Sequence, residues 1–129
     1  MNNWITAAAV IVAGLATAAA PAVAQSGEAS KGQRVFNTQC RACHTLEKDG
    51  AQATGPNLHG LFGRKAGTSA GYAYSDAMKD SGIVWDDTTL ADYNRDPKGK
   101  VPGTKMLYNG VKNAGQLADL VAYLKEATK

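Results

Sequence analysis

Leu, Ile, Val and Phe are scarce in the part of this chain that carries its charge. Residues 25–129 contain 8 Leu, 1 Ile, 5 Val and 2 Phe, 16 of 105 positions or about 15 %. A share that low usually marks a chain that stays unfolded, and a domain of about 100 residues has little core to spare. Yet the same region holds Trp85, five Tyr and clear helix patterns. The two facts agree if something other than side chains fills the middle of the fold. Small scaffolds short of core rely on a staple, and a large apolar cofactor would serve as one.

The N-terminus hides this deficit in the whole-chain averages. The first 24 residues hold 10 of the 23 Ala, together with Trp4, and no charged side chain. Ile5–Ala20 is apolar apart from Thr6 and Thr17, and Pro21 precedes Ala22-Val23-Ala24, an A-x-A pattern ahead of Gln25. This predicts a secretory signal peptide over 1–24 and one domain over 25–129. An uncleaved anchor is the alternative, although the stretch is short for a span. All 25 charged residues follow residue 24, the net charge is +3, and no basic run suggests nucleic acid. Two Cys are too few for a disulfide framework.

The periodicity is helical. Ala29, Gly32, Phe36 and Cys40 share one face, with Val35 beside them, and predict a helix over about 28–41. Leu117, Leu120, Val121 and Leu124 predict a last helix over 114–127, with Asn113 and Gln116 resembling a capping box. Ser75 can cap a helix over 76–80, and Asp86 or Asp87 can cap Thr88–Arg95, which Pro97 stops. No segment alternates with period two. The expected class is all-α, with long Gly- and Pro-rich loops at 48–71 and 98–110. Loops of that length in a small domain are usually functional.

Cys40-Arg41-Ala42-Cys43-His44 has the spacing of a c-type haem attachment site. Two thiols three residues apart at a helix end can reach the two vinyl groups on one porphyrin edge, and the adjacent His can project to the iron. Three alternatives compete. A zinc site needs four ligands, and only His59 remains after Cys40, Cys43 and His44. A thioredoxin-type motif needs a βαβ context that the chain lacks. A short-loop disulfide is the third. If the motif holds haem, the sixth iron position has three candidates: His59, Met78 and Met106. Met106 closes the loop Pro102-Gly103-Thr104-Lys105-Met106, Met78 sits in a helical stretch where Met is usually core filler, and His59 lies 15 residues after His44.

Taken in order, several segments resemble class I cytochrome c, the mitochondrial type and its short soluble bacterial relatives. They are Cys40–Thr45, Thr54–Arg64, Tyr74–Ala77, Trp85, Asp96–Lys98, Pro102–Met106 and Leu120–Leu124. The resemblance covers residues 27–129. It implies an all-α fold of three main helices, short helices and long loops around one haem c. It makes Cys40 and Cys43 the thioether residues, His44 and Met106 the iron ligands, and Pro56 the carbonyl partner of the His44 ring. Tyr93 is implied near the Met106 sulfur, and Arg64, Tyr74, Trp85 and Thr104 around the haem propionates. Gly32 and Phe36 are implied to cross the last helix at Tyr123, and His59 to be structural.

There are departures from the family pattern. Met78 stands where members carry a polar residue, Tyr108 stands for Phe at the haem edge, and Gln39, Ala53 and Asn113 stand where many carry Lys. Two propionates would lower the formal +3 to about +1. The implied function is a periplasmic one-electron carrier rather than an enzyme. It would pass electrons from a membrane quinol-oxidising complex to an oxidase, reductase or reaction centre, as a monomer docking through Lys98, Lys105 and Lys112, with Arg34 and Lys31 further out. A haem peroxidase or gas-binding sensor with a labile sixth ligand is the alternative.

Overall fold

A computed structural model describes residues 27–129. The segment read as a signal peptide lies outside the described residues. Five helices follow in order: α1 (Ala29–Gln39), α2 (Asp76–Lys79), α3 (Asp87–Arg95), α4 (Pro97–Lys100) and α5 (Ala114–Ala127).

The caps explain most of the boundaries. Asn113 Oδ1 accepts from the Gln116 N–H at 2.9 Å and starts α5. Ser75 Oγ accepts from the Met78 N–H at 3.1 Å and starts α2, which ends at Lys79. Asp86 and Thr89 form a reciprocal capping box at the head of α3. The expectation that Pro97 ends this helix needs refinement. α3 stops at Arg95, and Asp96 then caps a second helix through the Gly99 N–H at 3.1 Å. Pro97 occupies the first turn of α4, where its missing N–H costs nothing.

α1 and α5 cross in close contact, with α3 against α5 and α4 against α3. The crossing depends on Gly32. A Cβ there would run into the Asp119 carbonyl and come within 2.7 Å of Tyr123 Cβ. Beside it the Phe36 and Tyr123 rings pack with centroids 5.7 Å apart, tilted by 50°. Gly32→Ala is therefore an overpacking change against backbone that cannot step aside. A cost of about 1–3 kcal/mol predicts a melting temperature lowered by about 5–15 °C in the haem-loaded protein, checked by thermal unfolding. An unchanged midpoint would show that the crossing has room to spare.

Among the described residues the only extended pairing is an isolated antiparallel bridge between Lys65 and Val84. The Trp85 N–H donates to the Arg64 carbonyl at 3.0 Å, and the Gly63 N–H to the Trp85 carbonyl at 2.8 Å. These bonds fix Trp85 facing inward, where it is buried.

Buried apolar side chains form two clusters rather than one. Val35, Phe36, Val111, Leu117, Leu120 and Leu124 make the first, between α1 and α5. Leu61, Ala66, Met78, Trp85, Leu90, Tyr93, Val101 and Val121 make the second. Leu58, Phe62 and Ala91 pack against both.

Candidate functional site

A cavity of about 240 Å³ takes its walls from both clusters: Phe36 and Leu124 from the first, Leu61, Met78, Trp85, Leu90 and Tyr93 from the second. Its volume is the space that the scarce aliphatic residues leave open.

The chain turns sharply after α1. The Cys43 and His44 N–H groups both donate to the Cys40 carbonyl at 3.0 Å, so Cys40, Cys43 and His44 are presented from one turn. All three line the cavity. The two thiols are free and half-buried. Burial, and then the neighbouring Cys43, push the Cys40 thiol up to about 11.

His44 is held from behind. Its Nδ1 lies 2.8 Å from the Pro56 carbonyl, which can only accept, so Nδ1 carries the proton. In the neutral ring that leaves the Nε2 lone pair available. Burial lowers the His44 pKa, with the Pro56 bond opposing, so the neutral form prevails at neutral pH. Gly55 permits this pose, since a Cβ there would come within 2.5 Å of His44 Cε1. The Gly55 N–H donates to the Cys43 carbonyl at 2.8 Å and the Leu58 N–H to the Thr45 carbonyl at 2.9 Å, tying the Pro56 loop to the attachment turn.

Buried Asn57 locks that loop in place. Its Nδ2 donates to Thr45 Oγ1 at 2.8 Å and to the Glu47 carbonyl at 3.0 Å, and its Oδ1 accepts from the His59 N–H at 2.9 Å. The Arg64 guanidinium donates to the carbonyls of His59 at 2.8 Å and Asn57 at 3.3 Å. His59 is not among the residues that line the cavity.

Met106 reaches the cavity from the 101–110 loop. Thr104 Oγ1 accepts from the Met106 N–H at 3.3 Å and lies 2.6 Å from the Tyr93 hydroxyl. Tyr93 thus acts on the backbone of Met106 through Thr104. Burial raises the Tyr93 pKa, with the Thr104 bond opposing. The Trp85 and Tyr93 rings pack 5.4 Å apart. Tyr74 accepts from the Ser69 N–H at 3.2 Å.

Arg64, Tyr74, Trp85, Tyr93, Thr104 and Met106 all line the same cavity as Cys40, Cys43 and His44. Met78 lines it too and is buried. Tyr72 and Asn94 are further lining residues that sequence reasoning did not single out. Tyr72 donates to the Thr54 carbonyl at 2.9 Å and packs edge-on against Tyr74 at 4.8 Å. Neither residue carries a motif or periodic position that would mark it. Among the described residues no three His, Cys, Asp or Glu side chains cluster as a metal site.

The profile of the cytochrome c family matches residues 29–128. The chain belongs to the cytochrome c family. Over 103 residues it is 52 % identical to cytochrome c of Gibberella zeae, covering 80 % of this chain and 97 % of that one. It is 48 % identical over 107 residues to the cytochromes c of Guizotia abyssinica and Chlamydomonas reinhardtii, covering 83 % of this chain and 96 % of each relative. The fold is the all-α class I cytochrome c fold, and the cofactor is one haem c, attached covalently through Cys40 and Cys43. The cavity fits such a group: two free thiols, a neutral imidazole with an open Nε2 and a thioether share largely apolar walls.

One expectation is corrected by these relatives. The A-x-A pattern and the bacterial side of the resemblance suggested a periplasm. The relatives are a fungus, a flowering plant and an alga, eukaryotes without one, so the periplasmic placement does not stand.

Proposed function

We propose that this cytochrome c is a one-electron carrier whose iron is held between His44 and Met106. The observation that carries the reading is the convergence of the Cys40–His44 turn and the Met106 loop on one cavity. The bound haem supplies the one-electron chemistry. The protein's part is to hold both ligands still. The Pro56 carbonyl orients the His44 ring, and the Tyr93–Thr104 pair holds the Met106 backbone. Ligands that do not move between redox states keep reorganisation small. Were His44 and Met106 both to hold the iron, they would leave no place on it for a substrate. Arg64, Tyr74, Trp85 and Thr104 serve the propionate side in this reading, where buried carboxylates need donors. Residues 25–129 are the haem domain, and residues 1–24 are a leader.

The partners in this reading are membrane redox complexes: a quinol-oxidising donor and an oxidase, reductase or reaction-centre acceptor. Docking uses the rim lysines. The Lys105 ammonium donates to the Ala73 carbonyl at 2.8 Å and that of Lys112 to the Arg95 carbonyl at 2.8 Å, while all three rim lysines stay exposed. Lys31, further out, is paired with Glu28 at 2.8 Å.

Because Lys105 also ties a loop, Lys98 is the cleaner probe. Rim charge acts mainly on encounter, so Lys98→Glu should slow electron transfer to an acidic partner at low salt by about two- to fivefold. The haem potential should stay unchanged. Lys129→Glu, at the terminus, should do much less. Equal slowing by both variants would mean that net charge, not a docking face, governs the encounter.

A further inference from the structure

Met106 is flanked by two ties. On one side Lys105 holds the Ala73 carbonyl. On the other, Tyr108 reaches across the fold. Its hydroxyl donates to Gln39 Oε1, a contact between residues 69 positions apart. Gln39 is the last residue of α1 and immediately precedes Cys40. Both Gln39 and Tyr108 line the cavity. The Tyr108 side chain, like that of Cys40, packs against the cluster between α1 and α5.

The rest of the segment shows why this contact matters. Its far end is secured where the Val111 N–H donates to the Asn94 carbonyl at 2.8 Å and Lys112 to the Arg95 carbonyl. Its near end is secured at Thr104. In between, Leu107 lines the cavity and is 90 % exposed. Tyr108 therefore supplies the tie from the middle of the Met106 loop to the helix that carries the attachment turn.

We propose that Tyr108 and Gln39 form a latch, a positioning pair that slows the departure of Met106 from the iron. The latch rests on the assignment of Met106 as the sixth ligand. For the thioether to leave and an outside ligand to enter, the loop has to swing away from α1. The Tyr108–Gln39 bond must break first.

The test is imidazole binding to the ferric holoprotein, followed by stopped flow at saturating imidazole, where loss of the protein's own ligand limits the rate. One hydrogen bond of ordinary net strength predicts that Tyr108→Phe speeds binding about threefold to tenfold. Gln39→Ala should do the same. The double variant should be no faster than either single one, because each removes the same contact. Gln39→Glu keeps an acceptor oxygen and should stay near the wild-type rate. Unchanged rates in Tyr108→Phe, or single effects that multiply in the double variant, overturn the latch. The Met–iron charge-transfer band separates the two ideas. If the wild-type protein lacks the band, the ligand assignment is wrong and the latch goes with it. If the band is present and the rates do not move, the latch alone is wrong.

Discussion

Met106→Ala is expected to abolish the Met–iron charge-transfer band of the ferric protein, lower the reduction potential by about 0.2 V or more, and open the iron to small ligands. Axial-ligand choice spans about 0.8 V across haem proteins, and a thioether favours the reduced iron. Removing it acts directly on the iron, so the effect should exceed that of any surface change. Thr104 and Tyr93 would remain in place, because their contact with each other does not involve the Met106 side chain.

Met78 is the necessary comparison, since its side chain lines the same cavity and is more deeply buried than that of Met106. Burial alone would not choose between them. Their backbones differ. Met78 lies within α2, its N–H held by Ser75 Oγ and its carbonyl accepting from Ser81 Oγ at 2.8 Å, as befits a wall residue. Met78→Ala should destabilise the protein by about 2–5 kcal/mol as a cavity-forming change while the band persists. Loss of the band in Met78→Ala with its retention in Met106→Ala would exchange their roles.

Legibility in the sequence followed physical regularity. α1 and α5 could be read because one face of each repeats at helical spacing against a partner, as Phe36 and Leu120 show. α3 could be read from Asp86, whose side chain does what a cap must. α4 carries no such signal, because Pro97 suggests an end, and whether a proline ends one helix or begins the next depends on Asp96 finding the Gly99 N–H. That contact is tertiary geometry and leaves no period.

The site divides in the same way. The Cys40–His44 spacing is local and states its chemistry outright. The residues alone left His59, Met78 and Met106 open as partners, because a loop's approach to a cavity is not written in its composition. The family resemblance supplied that order. His59 stands apart from the cavity lining, but neither the Tyr108–Gln39 contact nor the Lys105–Ala73 tie had any local signature. Each joins positions far apart in sequence, one of them at the end of α1, and only folding brings them together.

Cys40→Ser combined with Cys43→Ser is expected to yield a chain without covalent haem and without a cooperative melting transition. The two apolar clusters are small, and the walls between them face a cavity of about 240 Å³ rather than each other. With the cofactor in place, those walls pack against a large apolar surface. Without it they must either collapse, which the Gly32 crossing and the Arg64–Trp85 bonding resist, or stand open to water. A hundred-residue domain in which Leu, Ile, Val and Phe make up about 15 % has no reserve to offset that loss. The helices cannot compensate, because isolated helices of 11 and 14 residues such as α1 and α5 are marginal in water. Far-UV circular dichroism of the variant should show most of the helix signal gone and a shallow thermal slope. Each single Cys→Ser variant keeps one thioether and should remain folded, with a lower melting temperature. A compact double variant with a sharp transition would falsify the view that the cofactor completes the core.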